Sequence, residues 1–413
     1  MSDERPLLLI IGTGGRYYRE YLLRSISTRY RIHLMLGAEP TWERDYITGW
    51  SVLAGMHETV EADEMIAAAR EVAAVEPVHG VLTWDEARVL QGAKVAAALG
   101  LPGGNPDAVM RCRDKHLTRE ALAAAGVRQP ASVLVGTVDE ALYAAGQIGF
   151  PVVLKPRAMA ASLGVVRVDG PEALAAHFAF ARDTTVPGAW HYDIDTLVEE
   201  YVAGPEISID AAVHAGQVFP LCLARKEIGY PPYFEEVGHV VDAADPLLAD
   251  PAVLRILQEV HTALGFADGV THTEFKLTPT GPAVIEVNGR LGGDLIPYLG
   301  LRAGGIDPGL AAADVACGRA PEVTADRKLV GAVRFFYVDH DDTTIGSIGF
   351  DEANLPTEID LRVPLVEPGD VVSPPPNGTL FGRIAYATAV ADTEQECRAA
   401  LAAAGATLRV AER

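Results

Sequence analysis

The chain has 413 residues, of which 49% are hydrophobic and 22% are charged, and this composition excludes a disordered protein. Acidic residues number 56 against 34 basic residues, and the net charge of −22 excludes nucleic acid and anionic membranes as bulk partners, because such a surface repels both. At this length we expect roughly two to four domains or subdomains. An anionic ligand would need a local pocket of lysine, arginine and backbone N–H groups.

The cysteines and the N-terminal residues indicate the cellular compartment. The four cysteines are scattered without a CxxC pair, which argues against a disulfide framework or a zinc site and is typical of a reducing cytosol. The apolar run Leu7–Ile11 is too short for a signal-peptide core or a membrane span, and no other segment approaches spanning length without charges. We therefore expect a cytoplasmic protein with no membrane partner.

The first hundred residues alternate between strand and helix patterns. Apolar runs predict buried strands, and helical patterns lie between and after them; the strands are at 7–11, 31–36 and 78–83, and the helices at 17–29, 62–75 and 86–99. Such alternation predicts an open parallel α/β sheet. The turn Gly12-Thr13-Gly14-Gly15 resembles the start of a dinucleotide fingerprint, but Tyr17 occupies the position of its third glycine. A plain strand-to-helix turn is the favoured interpretation.

A turn at 101–106 (LPGGNP) ends this unit, and a helix containing Arg113, Asp114 and Lys115 is expected next. Further strands are predicted at 152–155, 165–168, 197–201 and 206–213. Beyond residue 320 we expect a mixed β/α region with a strand near 332–338 and an alanine-rich helix near 393–404. The sequence contains neither internal repeats nor a low-complexity linker, so the subdomains should pack closely.

Lys155 ends a predicted strand and is followed by the small-residue loop AMAASLGV, which contains Ser162 and Gly164. Small side chains allow backbone N–H groups to approach a phosphate, and the lysine supplies positive charge. A Walker A motif is absent. Taken alone, Lys155 is more typical of a solvated strand end, and Lys115 of an exposed helical lysine.

The segment LVEEYVAGPEISIDA places Glu199 and Glu200 before an apolar pair, a Gly-Pro turn and Glu206. An extended hinge of this kind can offer backbone groups to the edge of an adenine ring, and the later carboxylate can accept hydrogen bonds from ribose hydroxyls. The alternative is a surface hairpin with ordinary acidic residues.

The segments HTEFKL and AVIEVNGRLGGD place Glu274 and Glu286 in two strand patterns. Alternate residues of a strand face the same side, so Glu286 and Asn288 should point together, and so should Arg290 if the strand continues. Mg²⁺ prefers oxygen ligands such as carboxylates, an amide carbonyl and phosphates. Arg290 would then stabilise charge on a transferred phosphoryl group. Because the apolar neighbours indicate a buried strand, we favour a metal site over a solvent-facing polar strand.

Taken in order, Lys115, FPVVLKP with its small-residue loop, EEYVAGPE, HTEFKL and AVIEVNGRLGGD resemble the ATP-grasp superfamily over about residues 106–300. The resemblance implies an α/β (α+β) ATP-grasp fold with an N-terminal parallel α/β domain and a C-terminal mixed β/α segment. The implied division is a pre-ATP-grasp domain at 1–105, a small lid subdomain at 106–196, a large subdomain at 197–320 and a C-terminal segment at 321–413.

Within the superfamily the chain is most similar to carboxylate–amine ligases that join amino acids, of the bacilysin type. This similarity rests on HTEFKL, on the spacing of Ile285, Glu286, Arg290 and Gly293, and on Glu236 and His239 upstream. By position alone, Glu236 and His239 are equally compatible with an exposed loop.

The resemblance implies a role for each matching residue. Phosphates of ATP would be bound by Lys115 and Lys155, under a lid formed by the loop 158–164 with Ser162 and Gly164. Adenine and ribose would be bound by Glu199, Glu200, Val202 and Glu206, and Mg²⁺ by Glu274, Glu286 and Asn288. The substrates would be bound by Glu236, His239, Arg290, Gly293 and Asp294, with Arg290 and Lys155 acting in catalysis and Asp294 favouring a cationic acceptor.

The implied activity is ATP-dependent formation of an amide bond through an acyl phosphate, with release of ADP and phosphate. ATP and Mg²⁺ are the expected cofactors, Mn²⁺ is a substitute, and the partners are a small carboxylate and an amine, with a homodimer as an option. Two alternatives stay open: a carboxylase-like or purine-biosynthesis enzyme that uses bicarbonate or formate, and a nucleotide-binding regulatory protein without catalysis.

Overall fold

The structure is a computed structural model that describes residues 4–56, 62–185 and 196–413. Part of the predicted subdomain 106–196, namely residues 186–195, lies outside the described residues. Every helix in the described part of the chain is too short or too polar to cross a membrane.

The N-terminal unit is a parallel four-stranded sheet with the strand order β3-β2-β1-β4, as the alternating pattern predicted. Its strands are β1 (Leu7–Ile11), β2 (Arg31–Leu36), β3 (Gly49–Val52) and β4 (Val78–Leu82), and its helices are α1 (Arg16–Ile26), α2 (Asp63–Val75) and α3 (Val89–Leu99). Sequence reasoning missed β3, because this edge strand has only four residues and is half exposed. All of β1 is buried, which explains its unbroken apolar run.

A small antiparallel sheet with the strand order β5-β8-β6-β7 follows. Its elements are β5 (Ser132–Val135), α6 (Val138–Ile148), β6 (Val152–Pro156), β7 (Val166–Val168), α7 (Pro171–Asp183) and β8 (Thr196–Glu200), and it is preceded by α4 (Pro106–Arg113) and α5 (Lys115–Ala124). The prediction of one helix through Arg113 and Lys115 was wrong. Asp114 interrupts it and caps α5 by accepting hydrogen bonds from two backbone N–H groups.

The remaining chain is organised around an eight-stranded sheet with the order β13-β12-β9-β10-β11-β14-β18-β16, beside a three-stranded sheet with the order β17-β15-β19. The strands are β9 (Glu206–His214), β10 (Gln217–Gly229), β11 (Glu235–Asp242), β12 (Gly269–Thr278), β13 (Gly281–Asn288), β14 (Val330–Tyr337), β15 (Thr343–Phe350), β16 (Ile359–Pro364), β17 (Val371–Val372), β18 (Arg383–Ala391) and β19 (Leu408–Glu412). The helices are α8 (Pro251–Leu264), α9 (Ile296–Gly304), α10 (Pro308–Ala316) and α11 (Glu394–Thr407), and short 3₁₀ turns lie at Trp42–Asp45, Pro246–Ala249, Glu352–Asn354 and Thr379–Gly382.

The eight-stranded sheet continues across residue 320, because β11 pairs with β14 and β14 pairs with β18. Strands of the C-terminal segment are therefore hydrogen-bonded directly to the strand that carries Glu236 and His239. The division of the chain at that residue stays a prediction about domain organisation, while the sheet itself is continuous.

Candidate active site

A cleft brings most of the predicted site residues together. It lies between the small four-stranded sheet and strands β11 to β13 of the large sheet. Its walls include Lys115, Lys155, Ala160, Ala161, Ser162, Glu199, Glu200, Tyr201, Val202, Glu206, Phe234, Glu236, His272, Glu274, Lys276, Glu286, Asn288, Arg290, Gly293 and Asp294. Of the predicted site residues, Gly164 and His239 lie outside this wall.

Glu274 on β12 lies directly opposite Glu286 on β13, and Asn288 lies opposite His272, so the predicted strand pairing is confirmed. The strand ends at Asn288, however, and Arg290 lies in the following turn rather than on the strand. This turn directs Arg290 towards the N-terminal unit, where its Nε donates a hydrogen bond of 2.6 Å to Glu86.

Both carboxylates are neutralised by buried lysines. Lys115 Nζ lies 2.9 Å from Glu286, and Lys226 Nζ lies 3.0 Å from Glu274. Burial alone would raise the pKa of the Glu274 carboxyl, but Lys226 and His272 hold it well below its usual range. The two carboxylates and the Asn288 side chain on β13 form an oxygen-rich set. Such a set fits a hard divalent cation, because its negative charge needs positive charge on both sides.

Lys226 was missed by sequence reasoning, and it joins three parts of the cleft. Its ammonium lies 2.8 Å from Glu206 and 2.9 Å from Glu236, in addition to Glu274. Only 2% of its side chain is exposed, and burial opposes its charge, but the three carboxylates raise the pKa of Lys226 well above its usual value. In sequence it lies within ARKEIG, a stretch without any recognisable motif.

Lys155 and Lys115 are both buried, so their interpretation as solvated lysines was wrong. Lys155 Nζ lies 2.5 Å from Glu199, which also accepts hydrogen bonds of 2.7 and 3.0 Å from the Arg119 guanidinium. Burial would raise the pKa of Glu199, but Arg119 and Lys155 lower it to about 2. Because Arg119 keeps Glu199 neutralised, Lys155 can turn towards a phosphate without leaving an unpaired buried charge.

The hinge residues occupy the predicted place, although their side chains differ in environment. Glu200, Tyr201 and Val202 line the cleft, whereas the Glu199 side chain points to the buried lysine and arginine. Glu206 accepts ion pairs from Lys226 and from Lys276, the latter at 2.8 Å. A surface hairpin with ordinary acidic residues is therefore wrong for Glu199 and Glu206.

The small-residue loop is held by hydrogen bonds at its first two residues, Ala158 and Met159. Arg113 donates a hydrogen bond to the Ala158 carbonyl, and Lys115 donates one to the Met159 carbonyl. Ala161 and Ser162 follow with φ of 55° and 56°, so the backbone turns sharply where it lines the cleft. Gly164 contributes to the turn rather than to the wall, since its φ is 73° and a Cβ there would lie 2.7 Å from Pro156.

The predicted substrate residues lie at the other end of the cleft. Glu236 and His239 are on β11, and the His239 ring is fully buried, so the exposed-loop interpretation was wrong. His239 Nε2 lies 3.2 Å from Glu236 and 3.4 Å from Asp294. Asp294 accepts two hydrogen bonds from Arg383, at 2.7 and 2.8 Å, so its negative charge is paired, and its predicted preference for a cationic acceptor stays a prediction.

A second histidine, His272 on β12, links this strand to the N-terminal unit. His272 Nδ1 lies 2.6 Å from Asp210, and its Nε2 lies 3.3 Å from Glu274; although burial lowers the pKa of His272, these carboxylates raise it to about 9. Asp210 also accepts a hydrogen bond from the backbone N–H of Gly292. The Gly292 carbonyl in turn accepts a hydrogen bond from Arg19 on α1. The period-two spacing of His272, Glu274 and Lys276 in HTEFK was the signal that could have revealed His272 and Lys276.

Comparisons with known proteins agree with this geometry. A family model of the ATP-grasp domain matches residues 148–297. Over 395 residues the chain is 30% identical to uncharacterized protein y4rH of Sinorhizobium fredii strain NBRC 101917 / NGR234, and the alignment covers 94% of this chain and 79% of that protein.

Two further relatives are ligases. The chain is 29% identical over 278 residues to the alanine–anticapsin ligase of Bacillus subtilis, an alignment that covers 62% of this chain and 57% of the ligase, a little over half of its length. The crystal structure of an L-amino acid ligase from Bacillus licheniformis superposes with a TM-score of 0.80 at 21% identity, over 100% of both chains. At that identity the structural likeness shows the fold.

Proposed function

The chain belongs to the ATP-grasp superfamily, and on that premise we propose that it is an ATP-dependent carboxylate–amine ligase. A carboxylate oxygen of the acid attacks the γ-phosphorus of ATP, and ADP leaves. An amine then attacks the carbonyl carbon of the acyl phosphate, phosphate leaves, and the amine nitrogen loses a proton as the amide bond forms. Similarity to a ligase whose name specifies alanine supports amino acids as the substrate class.

The observation that carries the proposal is the position of the Glu274–Glu286 pair. It lies at the junction between the lysine-rich end of the cleft and the end that contains Glu236 and Asp294. Lys115 and Lys226 flank the pair, one at each carboxylate. Phosphoryl transfer needs positioned positive charge around the transferred group and little covalent chemistry from the protein, which this arrangement supplies.

Each end of the cleft then has a distinct task. Lys155 and the loop 158–164 bind phosphates, the backbone of 200–202 faces the adenine edge, and Glu206 turns from its lysines to the ribose. Glu274, Glu286 and Asn288 would hold Mg²⁺, or Mn²⁺ in its place, and the bound ion would neutralise phosphate charge. Exclusion of water from the cleft protects the acyl phosphate from hydrolysis.

Arg290 binds the substrate carboxylate and orients it for attack. Its Nε is held by Glu86 at 2.6 Å and its Nη1 by the Leu291 carbonyl at 2.8 Å, which fixes the plane of the guanidinium. Planar guanidinium groups bind carboxylates and phosphates with defined direction, and a pre-oriented group loses less entropy when it binds. Glu236 receives the ammonium group of the amino acid.

The decisive experiment measures ADP release over a matrix of amino acids and small acids offered with amines, with mass spectrometry of the products. We expect ADP release that requires both an acid and an amine and yields a product lighter by one water than their sum. ADP release that requires bicarbonate or formate instead would replace the proposal with the carboxylase-like alternative. Nucleotide binding without turnover under every condition would indicate the regulatory alternative.

A further inference from the structure

Arg383, the first residue of β18, brings a buried cation from the C-terminal segment to the substrate end of the cleft. Its guanidinium donates to both carboxylate oxygens of Asp294, to the Glu236 carbonyl at 2.9 Å and to the Tyr337 hydroxyl at 3.2 Å. Its Cζ atom lies over the Phe335 ring, 3.7 Å from the ring centre. With only 6% of the side chain exposed, this group is held in one position.

Asp294 is the residue through which Arg383 acts on the cleft. Asp294 and Leu295 both have positive φ, 52° and 64°, a conformation that residues other than glycine adopt only where the surroundings enforce it. This turn places Asp294 in the wall of the cleft, whereas its partner Arg383 is not part of that wall. The charge that Asp294 presents to a ligand therefore depends on Arg383.

The neighbouring carboxylates at the substrate end are also paired. Glu236 is paired with Lys226, and His239 lies between Glu236 and Asp294 with its Nε2 towards both. Among the described residues the buried His239 Nδ1 atom has no hydrogen-bond partner, so the ring is oriented by the two carboxylates at Nε2. Glu235 accepts a hydrogen bond of 2.7 Å from Tyr337 and lies 3.6 Å from Arg383.

A metal ion is the competing explanation for this cluster. Glu236, His239 and Asp294 offer ligand atoms within 4.8 Å of one another. However, Arg383 already holds both carboxylate oxygens of Asp294, and a dication would lie against this fixed guanidinium charge. The guanidinium therefore favours a hydrogen-bonded cluster over a metal centre.

We propose that Arg383 is a positioning residue that sets the charge preference of the substrate end: by neutralising Asp294, it makes the site accept amino acids with uncharged side chains and disfavour those with a second positive charge. The inference rests on the proposed ligase function. It gives the C-terminal segment a part in substrate choice and replaces the expectation of a cationic acceptor.

Two substitutions should shift the preference in opposite directions. In Arg383→Met the Asp294 carboxylate loses its strongest cation, and we expect the kcat/KM ratio of L-lysine to its near-isostere L-norleucine to rise at least about tenfold. In Asp294→Asn the guanidinium is left without its counter-charge, and the ratio of L-glutamate to L-glutamine should rise by a similar factor. The double variant, Arg383→Met with Asp294→Asn, removes both charges and should return the lysine-to-norleucine ratio to the wild-type value.

The test uses ADP release with one fixed co-substrate, the best found in the matrix above, and calorimetric binding of the same four amino acids with a non-hydrolysable ATP analogue. Arg225→Met is the matched control, because Arg225 forms a similar two-bond pair with Asp245, at 2.7 and 3.2 Å, outside the cleft. It should leave both ratios unchanged.

If Arg383→Met lowers kcat/KM equally for lysine and norleucine, the role of the arginine is merely structural and the inference is overturned. Unchanged ratios in Asp294→Asn would do so even if Arg383→Met failed to fold. Both results leave the ligase proposal standing, provided that the wild-type protein releases ADP with amino acids. If no amino acid binds or supports ADP release in the wild-type protein, the ligase proposal and the inference both fail.

Discussion

The two ends of the cleft differ in how their carboxylates are held. At the proposed nucleotide end and at the Glu274–Glu286 pair each carboxylate has a lysine partner, namely Lys155 for Glu199, Lys115 for Glu286 and Lys226 for Glu274, and Arg119 also holds Glu199. At the proposed substrate end Arg383 holds Asp294 in two hydrogen bonds, whereas Glu236 is paired with Lys226. A lysine ammonium is a flexible point charge, whereas a guanidinium holds a carboxylate in a fixed geometry.

This difference indicates how each end works. On the proposed function, lysines at the nucleotide end would leave their carboxylates when phosphates and a metal ion arrive, so that end would rearrange during the reaction. Arg383 would keep Asp294 paired when a substrate arrives, so that part of the cleft would be set before binding. Lys226 contacts carboxylates of both ends and is the point where the two are coupled.

The largest effect is expected at the Glu274–Glu286 pair, where the two ends of the cleft meet. Glu286→Gln removes a charge needed at the junction, and ATP turnover should fall to about a thousandth or less, because such groups commonly contribute a hundred- to a thousandfold each. The fold should stay intact, as judged by circular dichroism. Glu259→Gln, on the exposed face of α8, is the control. Near-normal activity with unchanged Mg²⁺ dependence would contradict the metal assignment.

A smaller effect should be confined to the substrate end. Glu236→Ala removes the proposed partner of the substrate ammonium, and the KM of the amino acid should rise about tenfold to a hundredfold, as for a lost charged hydrogen bond. The KM of ATP should stay within about twofold, and Glu227→Ala, outside the cleft, should change neither. A parallel rise in both KM values would mean that the amino-acid pocket lies elsewhere.

The pairing of Glu199 at the nucleotide end should make the free energy of unfolding depend on pH in the acid range. The folded-state pKa of Glu199 is lowered from 4.5 to about 2, so its pairing stabilises the fold above pH 4.5 and is lost as the pH falls towards 2. At about 1.4 kcal/mol per pKa unit, the free energy of unfolding should lose about 2 kcal/mol between pH 6 and pH 3 from this group. Urea unfolding of the wild-type protein and of Glu199→Gln measures this loss, as a difference between their free energies of unfolding that shrinks as the pH falls. A difference that stays constant with pH would contradict the charged pair.

The smallest effect concerns the loop over the phosphates. Residues 160–164 should gain protection from hydrogen exchange when a non-hydrolysable ATP analogue binds, because this part lacks buried apolar anchors. Ala158 and Met159 are buried and held by Arg113 and Lys115, so their protection should change less. Equal protection across the loop with and without the analogue would contradict its action as a lid.

Elements whose cause is local were predictable from the sequence alone. Apolar runs and alternation predicted the parallel N-terminal sheet and the antiparallel pair that sets Glu274 opposite Glu286. These follow from the side-chain period of a strand, which is visible within a few residues. The same local signals failed for the short, half-exposed edge strand β3 and for β11, where charged residues interrupt the apolar pattern of a largely buried strand.

Which charges form pairs could not be predicted from the sequence, because the partners come together only in the folded chain. Asp294 and Arg383 are 89 residues apart, Arg290 and Glu86 are 204 apart, and nothing in either local pattern indicates the partner. A carboxylate in a sequence can face solvent, a metal ion or a buried cation, and burial makes the choice by penalising any charge left unpaired. The cations that occupy the substrate end of the cleft were therefore fixed by packing of distant strands, not by any motif.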